Sequence, residues 1–176
     1  MSTPEIVARV KEAIDTWVTK DKGNLERNLH EVNASGRLTS FLIPLFSEYD
    51  VDPEYNGDMG KPNDRKALEI AKNRIREVRK KVHNDDNYEC RPDIIIHKRQ
   101  TNDHNLVVIE VKKDIHQQDD KDYDLIKLEH LTIDHLGNHY NYKLGVSVII
   151  GTGQNAGKWE INYFQEGDPR QEDKLK

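Results

Sequence analysis

The chain has 176 residues and a mass of 20.5 kDa, with 34% charged residues, 35% apolar residues and a formal net charge of -5. This is the size of one domain, which we place at residues 1–166, with a charged tail at 167–176. One cysteine, Cys90, excludes an internal disulfide framework, and the apolar runs are too short to span a membrane. We therefore expect a cytoplasmic protein, and the net negative charge alone argues against binding to nucleic acid.

Apolar residues at helical spacing predict two helical regions in the first quarter of the chain. The first covers residues 4–20 and starts at Pro4, because proline is favoured in the first turn of a helix. The second extends to about Phe46. We expect it to break near Gly36 and to bend at Pro44.

Residues 50–62 predict a short strand and a loop, and a strongly basic segment follows. Its apolar residues recur at alternating steps of three and four, which predicts an inserted basic helix at 61–82. Between residues 61 and 81, nine basic residues outnumber three acidic ones, so this stretch carries +6 and the other 18 basic and 29 acidic residues leave -11. Both a solvated face and a surface that follows nucleic-acid phosphates explain this excess. The candidate nucleic-acid-binding residues are Arg65, Lys72, Arg76, Arg79 and Lys80.

The pattern changes after residue 90, where short β-branched runs predict strands. Ile94–Ile96 and Leu106–Val111 are separated by a polar turn and predict a hairpin that is buried on both faces. The order of helices and strands predicts the α/β class, with a mixed β-sheet flanked by helices. The other predicted elements are a helix at 119–136 that stops at Gly137 and strands at 142–150 and 159–164.

Three charged side chains are predicted to meet in this hairpin. Asp93 opens the first strand and Glu110 lies near the end of the second, so antiparallel pairing brings the two carboxylates side by side. Glu110 and Lys112 share one face because alternate side chains of a strand point the same way. Ionised groups are costly in an apolar sheet unless they pair or bind a metal, and hard oxygen ligands suit Mg²⁺ or Mn²⁺. Lys112 could then orient or deprotonate an attacking water.

Each of these residues also has a purely structural interpretation. Asp93 follows a proline and could cap a turn, and Glu110 could form an ion pair with Lys112 at a sheet edge. The position of Glu110 inside the apolar run favours the metal site, because an unpaired carboxylate there is costly.

The spacing of Pro92-Asp93 and Glu110-Val111-Lys112 resembles the signature of the PD-(D/E)XK nuclease superfamily. The wider pattern, over residues 24–150, is similar to a group of small bacterial members of that superfamily. It implies a restriction-endonuclease-like core of one helix, three strands, a helix and a strand (αβββαβ), here with an N-terminal helix and a basic helical insertion. The further matching parts are Glu31 with Arg37-Leu38 and Phe41-Leu42, Asp50 to Asn56, Arg91 to His97, Asn105 to Lys113, Asp124 to Leu131, and Tyr142 to Gly145.

The resemblance implies metal-dependent hydrolysis of a phosphodiester of DNA or RNA, with Mg²⁺ or Mn²⁺ as cofactor. Glu31 would come from the first core helix, and Glu26 is the alternative. Asp124 and Lys127 would lie on a helix above the site, where they could orient substrate or form an i,i+3 ion pair. The implied catalytic residues are Asp93, Glu110, Lys112 and Glu31, the metal ligands are Asp93, Glu110 and the backbone carbonyl of Val111, and the supporting residues are Asp124, Lys127, Arg37 and Glu54.

Two other functions stay open. The first is a catalytically silent module of the same fold that binds or assembles in a bacterial nucleic-acid-processing or defence system, as a homodimer or beside a partner subunit. The second is a hydrolase of nucleotides or other small phosphoesters. Metal binding distinguishes the first alternative, and activity on small substrates distinguishes the second.

Overall fold

The computed structural model describes residues 1–28, 31–57, 67–69, 87–134 and 138–176, and at 31–32, 67–69 and 87–89 it describes the backbone alone. Within these residues the protein is α/β, with a six-stranded mixed open sheet and helices on both of its faces, so the predicted class is confirmed. The helices are α1 (Thr3–Lys20), α2 (Lys22–Glu26), α3 (Glu31–Leu45) and α4 (Gln118–Leu131). The strands are β1 (Asp50–Pro53), β2 (Ala67–Glu69), β3 (Asn87–Glu89), β4 (Ile94–His97), β5 (Val107–Lys113), β6 (Leu144–Ile150), β7 (Trp159–Gln165) and β8 (Asp168–Arg170).

The six strands lie in the order β1-β4-β5-β6-β7-β8, and β2 pairs with β3 in a separate two-stranded sheet. Strands β4 and β5 form the predicted antiparallel hairpin, in which Ile94 pairs with Ile109 and Ile96 with Val107. Strands β5 and β6 are parallel, and α4 connects them across one face of the sheet. The other neighbouring strands of the six-stranded sheet are antiparallel.

The two faces of the sheet are covered by different helices. Helices α1 and α3 pack on the face that carries Ile94, Ile96 and Ile109, and α4 packs on the face that carries Ile95 and Val108. Every residue of β4 is buried, as expected for an apolar run with helices on both sides. The central hairpin is therefore shielded from water on both faces, and any charge within it must find its partners inside the protein.

Helix α1 matches its prediction, but the expected break near Gly36 is wrong. Helix α3 continues through Gly36, where a Cβ would meet no atom within 4 Å, and the interruption lies earlier, between the end of α2 and the start of α3. Leu38 and Leu42 are fully buried on α3, and their packing offsets the roughly 1 kcal/mol that a helical glycine costs. Pro44 falls in the last turn of α3, so little helix remains to be bent.

The predicted basic helix at 61–82 is wrong at Ala67–Glu69, which form β2 and pair with Asn87–Glu89. Cross-strand pairing has overridden the helical spacing of the apolar residues there. The rest of this segment lies outside the described residues, and so do Arg65, Lys72, Arg76, Arg79 and Lys80.

Two predicted ends also need correction. Helix α4 ends at Leu131 and not at Gly137, because the Thr132 side chain donates to the carbonyl of Leu128 at 2.9 Å and closes the last turn. Residues 167–176 are not a free tail: β8 pairs with β7, and the Glu172 carboxylate accepts from Lys11 of α1 at 2.7 Å. None of the helices in the described ranges is long and apolar enough to cross a membrane.

Candidate active site

The start of β4 and the end of β5 bring Asp93 and Glu110 together. Ile94 pairs with Ile109, so the next position of the same register sets Asp93 beside Glu110. The backbone N–H of Val111 donates to Oδ2 of Asp93 at 2.7 Å, which holds this carboxylate against β5. Burial raises the pKa of Asp93 above its ordinary value, and the hydrogen bond from Val111 opposes this shift only in part.

The Glu110 carboxylate is buried at the centre of the site, with 1% of the residue exposed. Lys127 Nζ lies 2.8 Å from its Oε1, but its Oε2 has no hydrogen-bond donor among the described residues. Burial raises the pKa of Glu110 well above its ordinary value, and the charges of Asp124 and Asp93 add to the shift although Lys127 opposes it. An ionised Glu110 is therefore incompletely compensated.

Helix α4 supplies Asp124 and Lys127, one turn apart and both buried. Lys127 Nζ lies 2.8 Å from Oδ1 of Asp124, and Lys112 Nζ lies 3.1 Å from its Oδ2. Burial lowers the pKa of Lys127, but the nearby Glu110 and Asp124 carboxylates outweigh burial and hold the ammonium pKa well above its ordinary value. The i,i+3 ion pair of the sequence analysis is thus present, and it belongs to a network that includes Lys112 of β5.

These side chains form what we call the Glu110 cluster: Asp93, Glu110, Lys112, Asp124 and Lys127. Three carboxylates face two ammonium groups, so the fully ionised cluster carries one excess negative charge. Asp93, Glu110 and Lys127 are largely cut off from solvent, which makes that charge costly. The cluster is therefore suited to receive a cation.

The donor set fits Mg²⁺ or Mn²⁺ by its chemistry. Within the described part of the chain, no group of three or more His, Cys, Asp or Glu side chains is arranged to hold a metal ion. The metal ligands predicted from the sequence do not form such a group of three side chains. They are the side chains of Asp93 and Glu110 and the backbone carbonyl of Val111, with Glu31 as a further catalytic residue whose side chain is not described. All of these are hard oxygen donors, and the unpaired Oε2 of Glu110 and the excess negative charge suit a divalent cation.

The other predicted residues occupy different places. Glu31 is the first residue of α3. Glu54 donates its backbone N–H to the carbonyl of Asp93 at 2.9 Å, and its carboxylate lies 3.5 Å from Arg91. Arg37 is bound to Asp21, with Nη2 donating to Oδ1 at 3.0 Å, so its guanidinium is not part of the Glu110 cluster.

A second ionic group, which the sequence analysis missed, lies on the same face of the sheet, with Asp52 and His97 buried and Arg99 exposed. Asp52 of β1 accepts from Arg99 Nε at 2.9 Å, and its Oδ2 lies 3.0 Å from Nε2 of the buried His97. We call Asp52, His97 and Arg99 the Asp52 cluster. The available signal was the two-residue spacing of His97 and Arg99, which puts both on the same face of the chain as it leaves β4.

Comparison of the chain with models of protein families, with curated proteins and with solved structures finds no match. The functional argument therefore depends on the geometry and the charges of the Glu110 cluster.

Proposed function

We propose that the protein is a metal-dependent nuclease that hydrolyses phosphodiester bonds at the Glu110 cluster. The observation that carries the proposal is the buried Glu110 carboxylate, which has Asp93 beside it and an oxygen without a hydrogen-bond donor among the described residues. The order α3, β1, β4, β5, α4 and β6, with β5 and β6 parallel, also agrees with a restriction-endonuclease-like core.

In this proposal each side chain of the cluster has a separate task. Asp93 and Glu110 would hold the cation, and the cation would supply polarisation of the phosphate and a lower pKa for an attacking water. Lys112 places its ammonium at the same end of β5, where it stabilises negative charge that develops on the phosphate. Asp124 holds Lys112 in position through the 3.1 Å contact, and Lys127 offsets part of the carboxylate charge.

The substrate that suits this site is a nucleic acid, with DNA as the first candidate. Strands β2 and β3 lie on either side of the segment 70–86 along the chain, and β2 packs against α4, the helix that carries Asp124 and Lys127. Strand β2 thus lies near the helix that contributes to the Glu110 cluster. The basic residues Lys72, Arg76, Arg79 and Lys80 in the sequence between β2 and β3 favour a polyanion over a small phosphoester.

The test is cleavage of single- and double-stranded DNA and RNA by the purified chain with Mn²⁺ or Mg²⁺. The informative variant is Asp93→Asn with Lys112→Met, which keeps the side-chain sizes and removes both charges. The matched control is Asp103→Asn with Lys22→Met, because both residues are exposed and lie outside the cluster. Cleavage by the wild type and the control, but not by the cluster variant, supports the proposal. Equal cleavage by all three proteins, or by none of them, contradicts it.

A catalytically silent module of the same fold is the second candidate, and one observation favours it. Lys127 contacts both Glu110 and Asp124, so the cluster's own side chains already balance part of the carboxylate charge. Calorimetric titration with Mn²⁺ separates the two functions. Binding that is lost in Asp93→Asn supports the nuclease, whereas no heat of binding and no thermal stabilisation by Mn²⁺ supports the module.

A further inference from the structure

Lys113 places a second buried ammonium group on the opposite face of β5 from Lys112, because neighbouring side chains of a strand alternate between faces. The residue is 7% exposed, and its Nζ donates to Oδ1 of Asn28 at 3.1 Å. Within the described residues no carboxylate pairs with this ammonium. Its charge is therefore buried against a neutral amide, which is costly for an ammonium group.

Lys113 is one of the residues that line a cavity of about 20 Å³ at the carboxyl ends of the parallel strands β5 and β6. Ligands of α/β proteins commonly bind at that edge of the sheet. Trp17, Leu25 and Ile150 supply apolar walls, and the exposed side chains of Asn24 and Asn33 also line the space. We call this space the Lys113 cavity.

Two other polar residues of the lining, Asp21 and Thr152, are already bonded. Asp21 lines the cavity, but Arg37 binds both of its carboxylate oxygens and compensates its charge. Thr152 donates its backbone N–H and its hydroxyl to Asp114 at 3.1 and 2.9 Å. The one charge in the lining that has no described partner of opposite sign is therefore positive.

A buried lysine in the lining, with the amide side chains of Asn24 and Asn33 beside it, suits an anion whose oxygens accept hydrogen bonds. The volume holds only one or two groups of the size of water, so the oxygens of a tetrahedral anion can enter while its other substituents stay at the mouth. A base or a sugar is too large. Among biological anions, a phosphate group has this shape and is already the chemistry of the proposed substrate.

We propose that the Lys113 cavity is a phosphate-binding subsite for the nucleic-acid strand that is cleaved at the Glu110 cluster. The identity of the strand rests on the proposed function, whereas the binding of phosphate does not. The phosphate belongs either to an internal phosphodiester or to the end of a strand, and the two sources are distinguishable by experiment.

The first experiment is thermal denaturation of the full chain in chelator with increasing inorganic phosphate. Wild type is compared with Lys113→Met and with Lys22→Met, which removes a charge from the exposed surface of α2. We expect phosphate to raise the Tm of wild type and Lys22→Met and to leave that of Lys113→Met unchanged. An equal rise in all three proteins, or no rise in wild type, overturns the proposal.

The second experiment measures fluorescence anisotropy with single-stranded oligonucleotides that carry a 5′-phosphate or a 5′-hydroxyl, again in chelator. Lys113→Met should weaken binding about tenfold and reduce the salt slope of the affinity by about one, with Lys22→Met within twofold of wild type. A preference for the 5′-phosphate in wild type alone assigns the cavity to a strand end. Equal loss with both oligonucleotides assigns it to an internal phosphate. Unchanged affinity of Lys113→Met for both overturns the proposal.

Cleavage assays with Mn²⁺ keep the two proposals separate. If phosphate binding depends on Lys113 but the protein has no nuclease activity, the phosphate-binding subsite is supported and the proposed function is overturned. If the protein has nuclease activity but phosphate raises the Tm of Lys113→Met as much as that of wild type, the proposed function is supported and the phosphate-binding subsite is overturned.

Discussion

The Glu110 cluster and the Asp52 cluster both contain buried carboxylates on the same face of the sheet, but their charges are balanced differently. In the Asp52 cluster one carboxylate is held by a guanidinium and an imidazole. In the Glu110 cluster three carboxylates share two ammonium groups, and an oxygen of Glu110 has no described donor. The two clusters thus differ in how completely their buried carboxylates are compensated, and the incomplete compensation at Glu110 is the basis of the proposed cation site.

The shifts in pKa express the same difference. Hydrogen bonding from Arg99 holds the pKa of Asp52 below its ordinary value, in spite of burial. Burial holds the pKa of Glu110 well above its ordinary value, in spite of Lys127. The ionised carboxylate thus stabilises the fold at Asp52 and destabilises it at Glu110, which is the pattern expected when a site is kept ready for a cation.

The largest expected effect is on the cleavage rate, which should depend on the Glu110 cluster and not on the Asp52 cluster. Glu110→Gln should reduce metal-dependent cleavage by about 10³-fold or more, because the residues of such a site act as a unit. Arg99→Ala, in the Asp52 cluster, should stay within about threefold of wild type. Single-turnover cleavage rates at saturating Mn²⁺ check this. A comparable loss in both variants would remove the functional distinction between the clusters.

The next effect concerns the balance of charge in the Glu110 cluster. Lys127→Met should lower the free energy of unfolding by about 3 kcal/mol, since it leaves buried carboxylates without their shared cation. Urea denaturation in chelator measures this, with the exposed Lys143→Met as the control. Mn²⁺ should restore more stability to Lys127→Met than to wild type, and an equal gain in both proteins would contradict the assignment of the cation site.

The Asp52 cluster should behave as a structural ion pair. Asp52→Ala should lower the free energy of unfolding by about 1–2 kcal/mol at neutral pH, because His97 loses its buried partner. The folded-state pKa of Asp52 is depressed, so its contribution is present above the ordinary aspartate pKa and is lost as the pH falls through the lower folded value. Urea denaturation at a series of pH values should show the two proteins converge in acid. A difference that is independent of pH would contradict this account.

The smallest expected effect is a gain in stability, in contrast to the losses expected for the variants above. Glu110→Gln should raise the free energy of unfolding by about 1 kcal/mol in chelator, because it removes a poorly compensated charge while Lys127 keeps Asp124. The folded-state pKa of Glu110 is raised, so wild type loses stability as the pH rises above the ordinary glutamate pKa and the advantage of the variant grows. A destabilised variant over this whole pH range would show that the carboxylate is structural.

Much of the candidate site follows from local pattern. The change from helical to strand spacing predicts the hairpin, and a hairpin with a short turn determines which residues face each other. Asp93 and Glu110 are therefore adjacent for a reason that lies within about twenty residues of chain. Tertiary packing overrides local pattern elsewhere: Ala67–Glu69 have helical spacing but pair as a strand, and residues 168–170 are highly polar but extend the sheet at its edge.

The sequence by itself determined the α/β class, the central hairpin and the meeting of Asp93 with Glu110, because hydrophobic period and strand register are local properties. The tertiary structure decided which charges are balanced. Lys127 reaches Glu110 only because α4 crosses the sheet between parallel strands, and Asp52 meets His97 only because β1 pairs with β4 across more than forty residues. Lys113 remains without a described carboxylate for the same reason: the turn that follows α2 brings it the amide of Asn28, and the compensation of a buried charge depends on everything that packs around it.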